Sequence, residues 1–206
     1  MKCIIIANGE IEYNNKTVHL IKNADLIICA DGGARHLRAL NIIPHIMMGD
    51  FDSISPENKK FYQDKKVKTI AFPSKKDQTD TELCMSWALD NNASDITFLG
   101  VTGTRLDHTL ANVFLLKKLC RLNIPARILD KNNELYIVEK HLELKGKKGD
   151  LLSIIPITRK VTGITLKGLE YPLYEATLKM GSSRGISNIF KENIASVSIK
   201  SGVLII

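Results

Sequence analysis

At 206 residues with 44% hydrophobic composition, the chain can bury a substantial core, as one large domain or two modest ones. Its longest apolar runs, residues 151–157 and 3–7, are too short to span a bilayer, and Met1-Lys2-Cys3 leads into the second with no signal-type segment, so a cytoplasmic protein without a membrane partner is expected. The net charge of +7 admits a polyanion, yet lysine pairs such as Lys59-Lys60, Lys75-Lys76 and Lys117-Lys118 are scattered and no tract interleaves them with aromatics; a surface attracting a polyphosphate fits equally well, and nucleic-acid binding stays as the rival class.

Taken in order, residues 2–7 form a β-branched run closed by Asn8-Gly9-Glu10, and residues 25–30 a second run closed by Asp31-Gly32-Gly33. Both read as buried parallel strands. Residues 34–40 have helical composition, so Gly32 and Gly33 sit at a strand-to-helix turn whose amides favour phosphate. A plain tight turn accounts for them as well, because the full G-x-G-x-x-G pattern is absent. The four cysteines, Cys3, Cys29, Cys84 and Cys120, lie in apolar settings without C-x-x-C spacing and read as reduced core residues.

A third strand at 45–48 leads into Met48-Gly49-Asp50-Phe51-Asp52-Ser53. Two carboxylates one residue apart at the carboxyl end of a strand can converge on one hard cation if the chain stays extended, since residues i and i+2 point the same way. Turn and helix-capping chemistry is the alternative, with Ser53 or Ser55 ahead of a helix at 55–63. After a fourth strand at 67–72, a second acid loop runs Lys75-Lys76-Asp77-Gln78-Thr79-Asp80-Thr81-Glu82 into a helix reaching about Asn91. Asp80 and Glu82 there are also what the dipole of a helix start favours. A fifth strand at 95–99 opens into Gly103-Thr104-Arg105-Leu106-Asp107-His108 at the head of a helix ending at Arg121. Arg105 supplies a fork suited to phosphate oxygens, and Asp107 another carboxylate. A sixth strand at 126–129 completes an alternation that implies a parallel sheet with helices on both faces.

From about Asn133 the texture changes to short β-rich runs, at 134–138, 151–156, 161–166, 176–179, 195–200 and 203–206, with no helix of useful length between them. The expectation is α/β with an N-terminal Rossmann-like parallel-sheet catalytic domain over residues 1–132, followed by a small all-β sandwich domain over residues 133–206. The loops Gly168-Leu169-Glu170-Tyr171-Pro172-Leu173 and Arg184-Gly185-Ile186-Ser187-Asn188 in the second are polar or aromatic and suit binding.

These segments, together with Asp31-Gly32-Gly33-Ala34, Gly49-Asp50-Phe51-Asp52-Ser53, Asp77-Gln78-Thr79-Asp80-Thr81-Glu82 and Gly103-Thr104-Arg105-Leu106-Asp107-His108, resemble in the same order the motifs of the bacterial thiamine pyrophosphokinase (thiamine diphosphokinase) family. The resemblance implies transfer of the diphosphate of ATP to the hydroxyethyl group of thiamine, with release of AMP, by a homodimer with shared active sites. It implies magnesium on Asp50, Asp52 and Asp80, and ATP on Asn8, Asp31, Gly32, Gly33, Gly103 and Arg105. Thiamine falls to Gln78, Tyr171, Ser187 and Asn188, and the proton of the attacking hydroxyl to Asp80 or Asp107. The family often has Gly-Gly-Arg where this chain has Gly103-Thr104-Arg105, and commonly Ser-Asn-Glu where this chain has Ser187-Asn188-Ile189, which removes a carboxylate. The rival reading is a basic nucleotide- or nucleic-acid-binding module without catalysis.

Overall fold

The computed structural model describes residues 1–75 and 77–206; Lys76, part of a lysine pair and of the second acid loop, lies outside the described residues. Two compact units are present, Met1–Glu134 and Leu135–Ile206. In the first, β1 (Lys2–Ile6), β2 (Leu26–Ala30), β3 (Ile46–Gly49), β4 (Lys68–Ala71), β5 (Asp95–Leu99) and β6 (Ala126–Leu129) are joined in parallel, with the short β7 (Glu134–Leu135) closing one edge. The sheet order is β4-β3-β2-β1-β5-β6-β7. The chain steps outward from β1 to β4 and then returns to the other side of β1, so the order reverses between β1 and β5. At such a switch point the loops leaving the two central strands open a crevice at the carboxyl edge, where ligands of open α/β sheets bind.

Helices α1 (Asn15–Lys22), α2 (Ala34–Ala39), α3 (Pro56–Asp64), α4 (Asp80–Asp90) and α5 (Leu106–Arg121) connect the strands. β2 is buried at every residue, as a strand covered on both faces must be. Ile4, Ile6, Ile27 and Cys29 pack with Ile21 of α1, Leu37 of α2 and Tyr62 of α3 on one face. Alternation sends Ile5 and Ile28 to the opposite face, where α4 packs across β1, β2 and β3. Capping follows local rules: Asn14 accepts from the Thr17 amide, Ser55 from Asn58 with Pro56 at the first helical position, and Thr79 from Glu82.

The second unit is antiparallel throughout its paired strands. It is built from β8 (Ile137–Val138), β9 (His141–Lys145), β10 (Leu151–Leu152), β11 (Ile155–Pro156), β12 (Lys160–Lys167), β13 (Ala176–Lys179), β14 (Asn188–Ile189), β15 (Ile194–Ser198) and β16 (Leu204–Ile205). Three sheets, ordered β13-β12-β15-β9, β11-β16-β8 and β10-β14, enclose a core that includes Ile154, Ile164, Phe190, Val197 and Leu204. No helix among the described residues is long and apolar enough to cross a membrane. Cys3, Cys29 and Cys84 are buried.

Candidate active site

Parallel register places the first feature. Because Ala30 pairs with Met48, the residues that follow, Asp31 and Gly49, leave the carboxyl edge side by side. A Cβ on Gly49, whose φ is 152°, would meet the Asp31 Cβ at 2.9 Å, so only glycine lets β3 pass this close. Asp31 opens the tight turn Asp31–Gly33 with φ 41°, and Phe51 follows with φ 61°. Non-glycine residues in this region carry strain that a fold retains mainly at functional sites. The result is a cluster: Asp31, Asp50 and Asp52 each bring a carboxylate oxygen within 4.8 Å of the others. The sequence reading had Asp50 and Asp52 converge through an extended chain. Here Phe51 breaks that geometry, and the Asp52 amide instead donates to Asp50 Oδ1 at 3.3 Å while Ser53 Oγ donates to Asp52 at 3.0 Å.

The structure draws Asp31, expected among the nucleotide contacts, into this carboxylate group. It is buried, and among the described residues its Oδ1 has no hydrogen-bond partner. Burial, joined by the charges of Asp52 and Asp80, pushes its carboxyl above the ordinary value, against the hydrogen bonding of Ser53 and the Gly32 amide. An orphaned buried carboxylate oxygen facing two more carboxylates is costly for the protein alone and fits a hard divalent cation that takes oxygen ligands. Asp80 acts on the group from the first turn of α4, where Thr79 caps the helix and Glu82 pairs with Lys118.

Beyond β5, Arg105 grips Asp107 through Nε at 3.3 Å and Nη2 at 2.6 Å, both residues being exposed at the head of α5. Arg105's fork, then the His108 amide, holds the Asp107 carboxyl below the ordinary value. The Gly103 amide, expected to face phosphate, is 3.1 Å from the Thr109 hydroxyl and donates to it.

Sequence reasoning missed the side chains that fix the loop after β1. Arg35 donates from Nε to Asn8 Oδ1 at 2.9 Å, and from Nη2 to the carbonyls of Asn8 at 2.8 Å and Gly9 at 3.2 Å. His36 Nε2 lies 2.6 Å from the same Gly9 carbonyl, which can only accept, so Nε2 carries the proton and Nδ1 accepts from the Tyr13 hydroxyl at 2.6 Å. Burial, then the Arg35 charge, keeps His36 below its ordinary value and so neutral. The Gly9 amide donates to the Gly100 carbonyl at 2.6 Å, joining the two loops of the switch point. A Cβ on Gly33 would strike the Ile6 carbonyl at 2.3 Å, so close backbone packing alone requires that glycine, whereas one on Gly32 would meet only the movable end of the Asn8 side chain, at 2.5 Å.

In the second unit, Leu166, Glu170, Tyr171, Pro172, Leu173, Arg184, Gly185, Ile186 and Asn188 line a cleft of about 450 Å³. Tyr171 is 63% exposed, its ring free to meet a ligand. Asn188, expected to touch a ligand, is 2% exposed and commits its amide to the Tyr171 backbone, accepting from N at 3.0 Å and donating to O at 2.7 Å. Ser187, with φ 57°, is exposed and hangs its amide on Ser153 Oγ at 3.0 Å. Gln78 is exposed in the first unit. Glu170, a carboxylate on the rim of an aromatic and apolar cleft, went unassigned from sequence; its place beside Tyr171 was the available signal.

Two family descriptions match in tandem: "Thiamin pyrophosphokinase, catalytic domain" over residues 17–128 and "Thiamin pyrophosphokinase, vitamin B1 binding domain" over residues 137–204. The chain is 34% identical over 183 residues to thiamine pyrophosphokinase of Bacillus subtilis strain 168, covering 87% of this chain and 85% of that protein. The crystal structure of Bacillus subtilis thiamine pyrophosphokinase is similar with a TM-score of 0.88 at 30% identity, covering 100% of this chain and 97% of that one. Thiamin pyrophosphokinase from Geobacillus thermodenitrificans is similar with a TM-score of 0.84 at 28% identity, covering 100% and 95%.

Proposed function

This chain belongs to the thiamin pyrophosphokinase family and makes thiamine diphosphate from thiamine and ATP, and on that premise we propose how its own residues divide the work. The observation that carries the reading is the convergence of Asp31, Asp50 and Asp52 at the carboxyl edge, with Asp80 near enough to act on Asp31. These four residues would hold magnesium, which when bound neutralises the charge that builds on the polyphosphate during transfer. Asn8, Asp31, Gly32, Gly33, Gly103 and Arg105 belong to the nucleotide side of the site, as the motif resemblance implies. The rival reading, a basic binding module without turnover, is not favoured: its matches are to kinases, and a cluster of acids at a strand edge repels a phosphate backbone.

In the reaction, the hydroxyethyl oxygen of thiamine forms a bond to the β-phosphorus of ATP, the bond from that phosphorus to the α–β bridging oxygen breaks, and AMP leaves. Alignment and fixed charge supply most of the acceleration in such transfers. The hydroxyl proton passes to Asp80 or Asp107, and Arg105 keeps Asp107 a weak base for as long as their pair lasts. Following AMP with ATP, thiamine and magnesium, each omitted in turn, tests the reading; AMP formed at the same rate without thiamine would overturn it.

Arg105 has two roles in competition. As a phosphate ligand it needs its planar fork, so Arg105→Lys should lower kcat/KM roughly tenfold or more although charge is kept. As a partner of Asp107 alone it should leave the KM for ATP unchanged, since lysine keeps a charge beside Asp107, and an exposed pair contributes little to stability. Steady-state kinetics of the variant separates the two.

Thiamine, a cation with a flat pyrimidine, suits the cleft of the second unit, with Tyr171 as the aromatic face, Gln78 and Ser187 as further contacts and Asn188 holding Tyr171 in place. The proposed division is therefore residues 1–132 for ATP and magnesium and residues 133–206 for thiamine, in a cytoplasmic homodimer whose subunits share their sites. The carboxylates and the cleft lie in different units, as sharing requires. Tyr171→Ala should raise the KM for thiamine roughly tenfold with little change in that for ATP. In a mixed dimer, one chain carrying Asp50→Asn and the other Tyr171→Ala, shared sites leave one composite site intact. Activity no greater than that of the two mutant homodimers refutes sharing.

A further inference from the structure

Arg35, His36 and Tyr13 are not members of the carboxylate group, yet together they place four hydrogen bonds on two residues of the β1 loop and a fifth behind them. A trans peptide is planar, so fixing a carbonyl fixes the amide on its other side. The Asn8 carbonyl is drawn to Arg35, and the amide of the same peptide, that of Gly9, points the opposite way and meets the Gly100 carbonyl. The Gly9 carbonyl is drawn to Arg35 and His36, so the Glu10 amide is turned away from α2; among the described residues it has no hydrogen-bond partner. The Asn8 side chain is set by the same means. Its oxygen accepts from Arg35 Nε, which leaves its Nδ2 donors without a partner among the described residues, poised above Gly32 at the switch point.

We infer that Arg35, His36 and Tyr13 form a positioning strap that holds the β1 loop in one shape, presenting the Asn8 side-chain amide and the Glu10 backbone amide as fixed donors to the acceptor oxygens of ATP. The inference rests on the reading of the β1 loop as part of the nucleotide site. Without the strap this exposed loop samples many conformations, and nucleotide binding then has to order it, which weakens affinity without removing any direct contact. Arg35 suits the task because one guanidinium spans a side-chain oxygen and two carbonyls, which the single point of a lysine cannot do. His36 serves in its neutral form as donor at Nε2 and acceptor at Nδ1, and Tyr13 fixes that tautomer.

The test is calorimetric titration of magnesium-ATP into the folded protein without thiamine, beside steady-state kinetics. Arg35→Lys should raise the dissociation constant for ATP and its KM roughly tenfold, with kcat and the KM for thiamine little changed. His36→Gln keeps a donor that reaches Gly9 and should bind ATP nearly as wild type, whereas His36→Ala should resemble Arg35→Lys. Because His36 is buried, its alanine variant can fail to fold; Tyr13→Phe, at a residue 46% exposed, should then show a weaker version of the same loss. Combining Arg35→Lys with Asn8→Ala should add little to Asn8→Ala alone, since the two act through one group. Wild-type ATP affinity in folded Arg35→Lys overturns the strap, as does a fully additive double variant. The two readings fail separately: absence of thiamine-dependent AMP formation in the wild type removes the proposed function while the ATP titration still judges the strap.

Discussion

Asp50→Asn and Asp52→Asn should each lower thiamine-dependent AMP formation on the order of a hundredfold or more while the protein stays folded. Asparagine keeps the size of the side chain and an acceptor oxygen, so the Asp52 amide can still donate to position 50 and Ser53 to position 52. What is lost is charge at the convergence with Asp31. If the pair served only the turn and the approach to α3, the outcome would be reversed, with small losses of thermal midpoint and activity intact. Measuring kcat and thermal midpoint for both variants distinguishes the cases, and near-normal turnover in both would remove these residues from the site. Sparse backbone conformations at Asp31 and Phe51 argue for the first outcome, because a turn that served only to reverse the chain could use glycine at either position without strain.

The centre of the first unit was legible in the sequence because β1, β2, β3 and β5 are buried on both faces and appear as largely apolar runs. The helix Asn15–Lys22 was not read. It has only eight residues and buries only Ile21, so its amphipathic pattern is too short to stand out from a loop despite the Asn14 cap. In the second unit His141–Lys145 was passed over, although Leu142 and Leu144 alternate and both pack on the core, because His141, Glu143 and Lys145 on the outer face resemble a charged loop. Asn188 was given to thiamine through the motif resemblance; in the structure its side-chain amide is committed to the Tyr171 backbone, a contact no local pattern states.

For the site, type and order of residues located the acid loops but not which carboxylates meet. That depends on register: Ala30 opposite Met48 is what sets Asp31 against Gly49, and no local pattern states which strand lies next to which. Arg35 and His36 were invisible for the same reason. They sit in α2 and act on the loop after β1, across a separation of 26 or 27 residues. The Arg105–Asp107 pair, by contrast, spans only two residues, a spacing that sequence alone can suggest.

Asp31→Asn should abolish most turnover and at the same time raise the thermal midpoint of the metal-free protein at neutral pH. The backbone at this position has φ 41°, which asparagine adopts at least as readily as aspartate, so the substitution removes charge without adding backbone strain. In the wild type that charge is buried, lacks a partner at Oδ1 among the described residues and faces Asp52 and Asp80; burial first, then those charges, raise its pKa above the ordinary value. An acid whose pKa is raised on folding favours the folded state below its unfolded pKa, and that contribution is lost as pH rises through the folded value. The variant's advantage in midpoint should therefore be present at neutral pH and shrink as pH falls and Asp31 takes up its proton. Magnesium should oppose the same repulsion, raising the midpoint of the wild type clearly and that of Asp31→Asn much less. Differential scanning calorimetry across pH, with and without magnesium, reads both effects without recourse to activity. Equal midpoints for the two proteins at neutral pH, or an equal response to magnesium, would show that Asp31 carries no uncompensated charge and does not hold the metal.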